Sequence, residues 1–559
     1  HAGAAGDPGG RANGAGGAHP ATATGAAAVG GPGAVGGARS GGDIPAAANR
    51  FVVGLHEVPL ADAAPPADRM VGVSGGGRVA ATLVDELTAR GVPATAADAT
   101  SGGSAGTGLL VVADLLAGTP AGPAGSEPLD APGLYARLRP ALLDTDGDVV
   151  VVTPLGGGLG IDPPAPLGDG AVVPIGAGAR GLVKTAALEF PDRSIRLVDV
   201  DATAPVADIA SAVADEVAGV RDCSPVEVGW RAGVRRAPHP VVRPAPVAAG
   251  AAPPLTAESV VLLTGGARGI TAEVALALAR AHRCRLELVG RSALPVADEA
   301  PTIAPCPDTP GLRAALVQAG WREPRAIEAE CQRLQAAREV RATLAALADA
   351  GSEVTYHQLD VRDADALAAT VAGVYERHGR LDGVVHGAGM LDDHLIADKT
   401  PDAFARVFAT KVGAAGTLLG SIRAATADGG WAPPALVVLF GSIAGVCGNR
   451  GQADYAAAND ALDAIAAANQ GVAGRVVALD WGPWSPAAGM VSGSLAKLFE
   501  ESGMGLIDLS DGTSVVLDEL GAGAGPHQVV VARCSPELMA ASLGHGRHDA
   551  TVGAVPGGS

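Results

Sequence analysis

Four polar side chains in the second half of this sequence have the types that proton transfer requires. Tyr455 and Asn459 are four residues apart in an alanine-rich stretch that is predicted to be helical, so they share one face of that helix. Ser442 follows an apolar strand predicted from 435 to 440, and Lys411 lies in a helix predicted from about 401 to 425. In the order of an alternating strand–helix fold, we expect all four at the edge of one pocket.

These side chains suit the reduction of a ketone. Hydride transfer to a carbonyl makes an alkoxide, which needs a proton donor and hydrogen bonds to the developing charge. A tyrosine can donate that proton, but its ordinary pKa is about 10. A nearby ammonium group stabilises the phenolate and lowers this pKa, and Lys411 is the candidate. Ser442 would hold the carbonyl oxygen, while Asn459 would position Lys411 or a water. Each residue alone also fits a packing or capping role, but together they are interpreted as a catalytic group.

A glycine-rich turn opens the predicted pocket. An apolar run from 260 to 263 is typical of a buried strand, and a breaker-free stretch from 272 to 281 favours a helix. Strand, glycine turn and helix together form the unit that cradles a dinucleotide pyrophosphate at a helix N-terminus. The spacing T-G-G-x-x-G resembles the short-chain dehydrogenase/reductase pattern. The predicted contacts in this turn are Thr264, Gly265, Gly266, Arg268, Gly269 and Ile270.

The ends of the next strands complete the expected cofactor site. Arg291 stands at the end of a strand where NAD-binding proteins often place an acidic residue, and a guanidinium there favours the 2′-phosphate of NADPH. The alternative is a solvated surface arginine. Ligands of open α/β sheets lie beyond the carboxyl ends of the strands. The further predicted cofactor contacts are Ser292, Asp360, Val361, His386, Gly387, Ala388 and Gly389.

Composition narrows the class of protein. The chain has 559 residues and 48% hydrophobic residues, enough for two or more α/β domains. Its formal net charge of −19 argues against nucleic acid and anionic membrane surfaces as partners. No run of 18 apolar residues predicts a transmembrane helix. Its six cysteines have neither disulfide nor zinc spacing, which indicates reduced thiols and a cytoplasmic location; no metal site is expected.

The chain divides into two similar halves. Residues 1–50 are rich in Gly, Ala and Pro and predict a disordered linker, which suggests tethering to an upstream module. Residues 51–245 predict a structural Rossmann-like subdomain, 246–257 a connector, and 258–543 a catalytic subdomain with an insertion at 293–350. A disordered tail is expected from 544 to 559. The predicted fold class is therefore α/β, with two Rossmann-like subdomains built on parallel, doubly wound sheets.

The first half lacks the residues of a working site. When Ser74 is aligned with Thr264, Val79 falls on Gly269, where a side chain would obstruct a bound phosphate. The only tyrosine of this half, Tyr135, is far from the expected catalytic helix. We interpret this half as a structural copy, and a second cofactor site there is the less favoured alternative.

Taken together, these motifs resemble the ketoreductase domain of polyketide synthases, an extended short-chain reductase. Ordinary short-chain reductases carry Y-x-x-x-K, whereas this chain has Tyr455-Ala-Ala-Ala-Asn459 with the lysine moved to Lys411. That exchange is characteristic of polyketide ketoreductases. The resemblance covers residues 51 to 540, and the insertion around 327–344 is most similar to the polyunsaturated fatty acid synthase subgroup.

The resemblance implies further roles. Leu391-Asp392-Asp393 matches the motif of B-type ketoreductases, and Cys447 stands where A-type enzymes have a tryptophan. Both imply a D-configured 3-hydroxyacyl product, although a plain polar turn is the alternative. Pro483 ends a strand similar to the one that borders nicotinamide, and 485–509 resembles a mobile substrate lid.

The sequence thus predicts an NADPH-dependent oxidoreductase of the 3-oxoacyl-[acyl-carrier-protein] reductase type. By resemblance, it would reduce β-ketoacyl chains tethered to an acyl carrier protein, beside other domains of a polyketide or fatty acid synthase. Two alternatives stay open: a redox-inactive cofactor-binding scaffold or epimerase, and a free-standing reductase of small ketones.

Overall fold

A computed structural model of the chain contains one 15-stranded sheet with helices on both faces. It describes residues 44–60, 68–75, 77–97, 107–116, 119, 129–162, 172–220, 225–244, 255–294, 299–485 and 493–544. The strands lie in the order β11-β10-β9-β12-β13-β14-β15-β1-β8-β7-β6-β5-β4-β2-β3. Their bounds are β1 Asn49–Glu57, β2 Met70–Ser74, β3 Ala94–Ala97, β4 Thr107–Val112, β5 Asp148–Thr153, β6 Ile195–Val200, β7 Glu227–Arg231, β8 Val234–Val242, β9 Val260–Thr264, β10 Arg285–Gly290, β11 Val354–Gln358, β12 Gly383–His386, β13 Leu436–Ser442, β14 Arg475–Trp481 and β15 Gln528–Ala532.

The same strand order occurs twice. From β10 to β15 the order is β10-β9-β12-β13-β14-β15, all parallel, with β11 added outside β10. The first half repeats it as β3-β2-β4-β5-β6-β7, also parallel. Central strands such as Val260–Thr264 and Asp148–Thr153 are buried along their whole length, as expected for parallel strands covered on both faces. The predicted α/β class with doubly wound parallel sheets is confirmed, whereas the exact domain boundaries stay a prediction.

Strand β1 joins the two repeats into one sheet. It pairs antiparallel with β15 on one side and with β8 on the other, and β8 forms a hairpin with β7. The strand starts at Asn49, so the last two residues of the expected linker belong to the sheet. The remainder of that linker up to residue 43 lies outside the described residues, as do most of the connector and of the C-terminal tail.

The helices pack the halves against each other. Their bounds are α1 Arg78–Ala89, α2 Ala131–Asp144, α3 Ala179–Glu189, α4 Val206–Ala218, α5 Gly269–His282, α6 Thr309–Gln318, α7 Pro324–Asp349, α8 Ala364–His378, α9 Pro401–Phe408, α10 Ala414–Asp428, α11 Ile443–Cys447, α12 Ala453–Ala468, α13 Gly493–Glu501, α14 Leu509–Gly521 and α15 Pro536–Leu543. Helices α2 and α3 of the first half lie against α9 and α12 of the second. At this contact Tyr135 stacks on Phe404, with ring centroids 4.3 Å apart. One hydrophobic core therefore contains residues of both halves.

The insertion contains the predicted long helix. Helix α7 covers the charged stretch expected to be helical between 325 and 350, and α6 packs against it. Ile327, Cys331 and Leu334 bury one face of α7 on Leu312 of α6, which forms a small core separate from the sheet. Among the residues described here, no helix is long and apolar enough to cross a membrane.

Candidate active site

The candidate site lies at the carboxyl ends of β9, β12 and β13, where the strand order reverses between β9 and β12. This is the position at which open α/β sheets bind ligands. Gly265 turns the chain with φ of 74°, and its amide donates to the Val289 carbonyl at 2.8 Å. A Cβ at Gly265 would lie 3.1 Å from the amide nitrogen of Ala388. The turn can therefore bring β9 and β12 this close only with glycine at that position.

Buried hydrogen bonds connect the ends of β9 and β12 to the lysine. The Nδ1 of His386 lies 2.7 Å from the hydroxyl of Thr264, and its Nε2 lies 2.9 Å from the Lys411 carbonyl. Because a carbonyl can only accept, Nε2 carries the proton and Nδ1 accepts from Thr264. Burial lowers the pKa of His386 to about 4, so the ring is neutral. The His386 side chain thus points inward, and only its backbone is available for the predicted cofactor contact.

Lys411 occupies an irregular turn of its helix. The sequence predicts one continuous helix here, but α9 and α10 are separated by a π-helical turn, Ala409–Gly413. Such turns are frequent at functional sites. The Lys411 Nζ donates to the Phe440 carbonyl at 2.6 Å and lies 5.5 Å from the centre of the Tyr455 ring. Burial lowers the pKa of Lys411 to about 8.

Tyr455 lies near the start of α12 and is the one partly exposed residue in a buried stretch of that helix. Burial raises the pKa of Tyr455, while hydrogen bonds from the Ser442 hydroxyl and the Asn459 amide oppose that rise. Desolvation of the phenolate therefore outweighs these hydrogen bonds, and the expected lowering of the Tyr455 pKa by Lys411 stays a prediction. Ser442 also caps α11 by accepting the amide of Ala444 at 3.2 Å.

Asn459 is only partly satisfied. Its Nδ2 donates to the Tyr455 carbonyl at 2.7 Å, and its buried Oδ1 has no hydrogen-bond partner among the described residues. Among the described residues, Asn459 makes no hydrogen bond to the Lys411 side chain, which it was expected to position. The free Oδ1 instead leaves an acceptor beside the tyrosine, which suits a water.

Gly269, a predicted phosphate contact, is the first residue of α5. Gly269 has φ of 59°, and a Cβ there would meet none of the described atoms within 4 Å. A cradle with room before a helix N-terminus fits a dinucleotide pyrophosphate. Arg268, half exposed, pairs with Glu339 of α7 at 2.5 Å. Exposed Arg291 lies close enough to Asp360 to help lower the pKa of that carboxyl, after the larger effect of Arg362.

The other predicted cofactor residues come from several separate segments. Ser292 accepts through its carbonyl from the Tyr356 hydroxyl at 2.7 Å, and Val361 is buried. The Pro483 carbonyl accepts from the Ile507 amide at 2.8 Å, which brings the last part of the expected lid back to the end of β14. Residues 486–492 of that lid lie outside the described residues. The remaining predicted contacts lie in the turn after β9, in the first turn of α5 or directly after β12: Gly266, Ile270, Gly387, Ala388 and Gly389.

The loop after β12 borders the site from the other side. Leu391 is exposed, and Asp392 pairs with Arg406 at 2.9 Å. Asp393 accepts from the Gln452 amide at 3.0 Å, and burial raises its pKa. Cys447 is buried at the end of α11, where desolvation raises its pKa to about 12, so the thiol stays protonated.

Sequence reasoning missed a buried carboxyl pair behind the lysine. The Gln528 amide donates to Asp463 at 2.7 Å and to Asp480 at 2.9 Å. Burial raises the pKa of both carboxyls. Asp463 could have been found, since it follows Tyr455 and Asn459 at helical spacing on α12. The other two come from β14 and β15, and no local pattern connects them.

The first half has a different arrangement at the equivalent strand end. The Ser74 hydroxyl is hydrogen-bonded to Asp114, which also pairs with Arg137. Val79, predicted to obstruct this turn, is buried in the core of the first half. No group of three or more His, Cys, Asp and Glu residues in the described ranges is arranged to hold a metal ion.

Comparison with known proteins shows what the second half is similar to. Residues 259–486 match the family model for the KR domain. The chain is 34% identical over 368 residues to one component of the polyunsaturated fatty acid synthase of a Thraustochytrium species, covering 63% of this chain but 12% of that protein. It is 31% identical over 312 residues to a polyketide synthase of Streptomyces halstedii, covering 56% of this chain and 4% of that protein.

Solved structures support the fold over nearly the whole described chain. A ketoreductase from the first module of phoslactomycin biosynthesis in a Streptomyces species covers 90% of this chain and 97% of its own, with 22% identity and a TM-score of 0.62. A C2-type ketoreductase from a modular polyketide synthase covers 88% and 97%, with 22% identity and a TM-score of 0.63. Both halves of the sheet therefore correspond to this fold.

Proposed function

We propose that this chain is an oxidoreductase that reduces the β-keto group of acyl thioesters with NADPH, a proposal supported by the match of residues 259–486 to the KR domain family model. The observation that carries the proposal is the convergence of three side chains from separate elements. Lys411 Nζ lies 5.5 Å from the Tyr455 ring centre, and Ser442 is close enough to the Tyr455 hydroxyl to oppose the rise of its pKa. These are the donor, the cation and the oxygen-binding group that alkoxide formation needs.

In the proposed reaction the bound nicotinamide supplies a hydride to the β-carbon. Ser442 donates a hydrogen bond to the ketone oxygen, and the Tyr455 hydroxyl gives its proton to the alkoxide as the charge develops there. The phenolate that remains lies beside the Lys411 ammonium, which stabilises it. The buried Phe440 carbonyl and the bonds of His386 hold that lysine in place. Asn459 offers its free Oδ1 to a water that can return a proton to the site.

The proposed preference for NADPH rests on the positive charge at the end of the site where the adenosine of the cofactor would bind. Arg291 follows β10 directly, is exposed, and is near Asp360. Arg268 lies in the phosphate turn, and its partner Glu339 is itself exposed, so the pair can open at little cost. A guanidinium at this strand end recognises a 2′-phosphate and leaves the ribose of NADH without its usual carboxylate.

The partners and the product follow from resemblance. The curated relatives named above are synthases many times longer than this chain, which supports an acyl carrier protein with a phosphopantetheine-tethered substrate and further synthase domains as partners. The loop Leu391–Asp393 and Cys447 support a D-configured 3-hydroxyacyl product. Chiral analysis of the alcohol tests this point, and a mainly L product would overturn it. A cytoplasmic location also stays a proposal, supported by the free thiols.

The test of function is the oxidation of NADPH by the full chain with a β-ketoacyl thioester. We expect Tyr455→Phe to lower turnover by roughly 10²-fold or more while NADPH binding, measured by fluorescence, is retained. Tyr375→Phe is the matched control, since its buried hydroxyl has no hydrogen-bond partner among the described residues. It should keep full turnover.

Four outcomes would contradict parts of the proposal. If the Tyr455→Phe variant stays active, Tyr455 is not the proton donor. A wild-type chain that binds NADPH without oxidising it favours a redox-inactive scaffold or epimerase. Faster turnover with simple ketones than with the thioester favours a free-standing reductase. Equal turnover with NADH and with NADPH would contradict the proposed recognition of the 2′-phosphate by Arg291.

A further inference from the structure

One carboxylate of the first half connects two separate segments of the second. Glu189 ends α3, and its Oε2 accepts the amide of Ile396 at 2.7 Å. Its Oε1 accepts the amide of Gly451 at 2.8 Å. Ile396 belongs to the loop 387–400 between β12 and α9, whereas Gly451 belongs to the turn 448–452 between α11 and α12. Glu189 therefore bridges two stretches of backbone that are far apart in the chain.

Both segments border Tyr455. The turn 448–452 leads directly into α12, which carries that tyrosine. The loop 387–400 carries Asp393, which accepts from Gln452 of the turn and is close enough to Tyr455 to affect the ionisation of its hydroxyl. The two segments thus meet through Asp393 and Gln452 and through the His394 amide, which donates to the Gly451 carbonyl at 2.9 Å. Glu189 binds one amide of each segment.

Other side chains of the first half bind the same loop through its backbone. The Tyr135 hydroxyl donates to the Lys399 carbonyl at 2.8 Å. Arg139 donates to the carbonyls of Ile396 at 3.0 Å and Ala397 at 2.6 Å. Because these contacts reach only backbone atoms, they fix the path of the loop whatever side chains it carries. The first half therefore shapes one wall of the site without contributing a residue to the chemistry.

We propose that Glu189 is a positioning residue that sets the separation between the loop 387–400 and the turn 448–452, and so determines how an acyl substrate is oriented in front of Tyr455. A carboxylate is suited to this role because it is an acceptor only and can receive both amides at once. An amide side chain accepts one backbone N–H and turns its own NH₂ toward the other. The structural link is independent of the activity, whereas the effect on substrate orientation rests on the proposed function.

The link is tested by hydrogen exchange of the full chain without ligands. In Glu189→Gln we expect peptides spanning 391–399 or 448–452 to exchange about tenfold faster, since a charge-assisted bond to a backbone amide is lost. Glu86→Gln is the control, because Glu86 lies in the same half and forms only a partly exposed ion pair with Arg90. Unchanged exchange in both segments overturns the proposal.

The peptide of β5, residues 148–153, shows whether a variant is folded. It keeps its protection from exchange in a folded variant and loses it in an unfolded one. If Glu189→Gln exposes β5, the measurement is repeated with Glu189→Asp, which keeps both acceptors but shortens their reach. Faster exchange confined to the two segments supports the link, and wild-type exchange in a folded Asp variant contradicts it.

The effect on orientation is tested with the thioester. Glu189→Gln should raise KM for the thioester and increase the minor alcohol enantiomer severalfold, with KM for NADPH unchanged. A merely destabilised enzyme would lose active fraction and hence kcat, but it would keep the ratio of enantiomers. Faster exchange with an unchanged KM and enantiomer ratio would refute the orienting role. Absence of turnover in the wild type would contradict the proposed function, and the exchange result would still decide the link.

Discussion

Adding one methyl group at Gly181 should disturb the helix that carries the candidate proton donor. Gly181 lies in α3, and a Cβ there would be 2.2 Å from the carbonyl oxygen of Ala456 and 2.5 Å from its carbon. Ala456 is the residue after Tyr455 on α12. Ordinary contacts at a Cβ begin at 3.4 Å, so the two helices must separate by about 1.2 Å.

The magnitude follows from two opposing effects. Overpacking a well-filled interface costs about 1–3 kcal/mol, and here the obstructing atoms are backbone atoms that cannot rotate away. Replacing glycine by alanine inside a helix contributes about 1 kcal/mol in the other direction. We therefore expect Gly181→Ala to lower the free energy of unfolding by roughly 0–2 kcal/mol. A displacement of about 1 Å at Tyr455 should also lower turnover by roughly 10²-fold.

The matched control is Gly373→Ala in α8, where an added Cβ would meet no described atom within 4 Å. It should raise the free energy of unfolding by about 0.5–1 kcal/mol. Urea unfolding followed by circular dichroism gives both stabilities, and NADPH oxidation gives both rates. The reasoning is refuted if Gly181→Ala is as stable as Gly373→Ala and turns over like the wild type.

Two further predictions concern pH. Since the pKa of Lys411 is lowered to about 8, its ammonium loses its proton as the pH rises past that value. Turnover should therefore fall about tenfold per pH unit above pH 8. A profile of turnover against pH that stays flat to pH 10 would contradict this. Burial alone would raise the pKa of Glu287, but hydrogen bonds from His357, His378 and Arg377 bring it down to about 2. The resulting stability is present above the unfolded value of 4.5 and is lost as the pH falls toward 2. Glu287→Gln should lower the free energy of unfolding at pH 7 by about 3–5 kcal/mol and abolish this acid dependence, and an unchanged acid transition in denaturation curves would disprove it.

The sequence predicted the features that depend on neighbouring residues. The apolar run before Gly265 gives a strand, and the glycine after it gives the turn, because only glycine adopts that backbone angle without strain. The four-residue spacing of Tyr455 and Asn459 places both on one face of α12, and no tertiary contact is needed to know this. The repeat of strand order could likewise be inferred from two similar alternations of apolar runs and helical stretches.

Tertiary structure decided how these parts act together. The π-helical turn at Lys411 was not predictable, because the bonds that hold it come from His386 and Phe440 on two other strands. The direction in which the pKa of Tyr455 shifts depends on how deeply the hydroxyl is buried, and residue types alone do not show burial. Strand β1 joins the two repeats by pairing with β15 near the other end of the chain.

What the sequence alone determined is therefore the local elements, and what it predicted is the kind of chemistry they carry, since residue types and short spacings act over a few residues. Only the folded chain decided that a glutamate of the first half holds two loops of the second. The physical reason is that backbone amides look alike in every sequence, so their partners are selected by proximity in space.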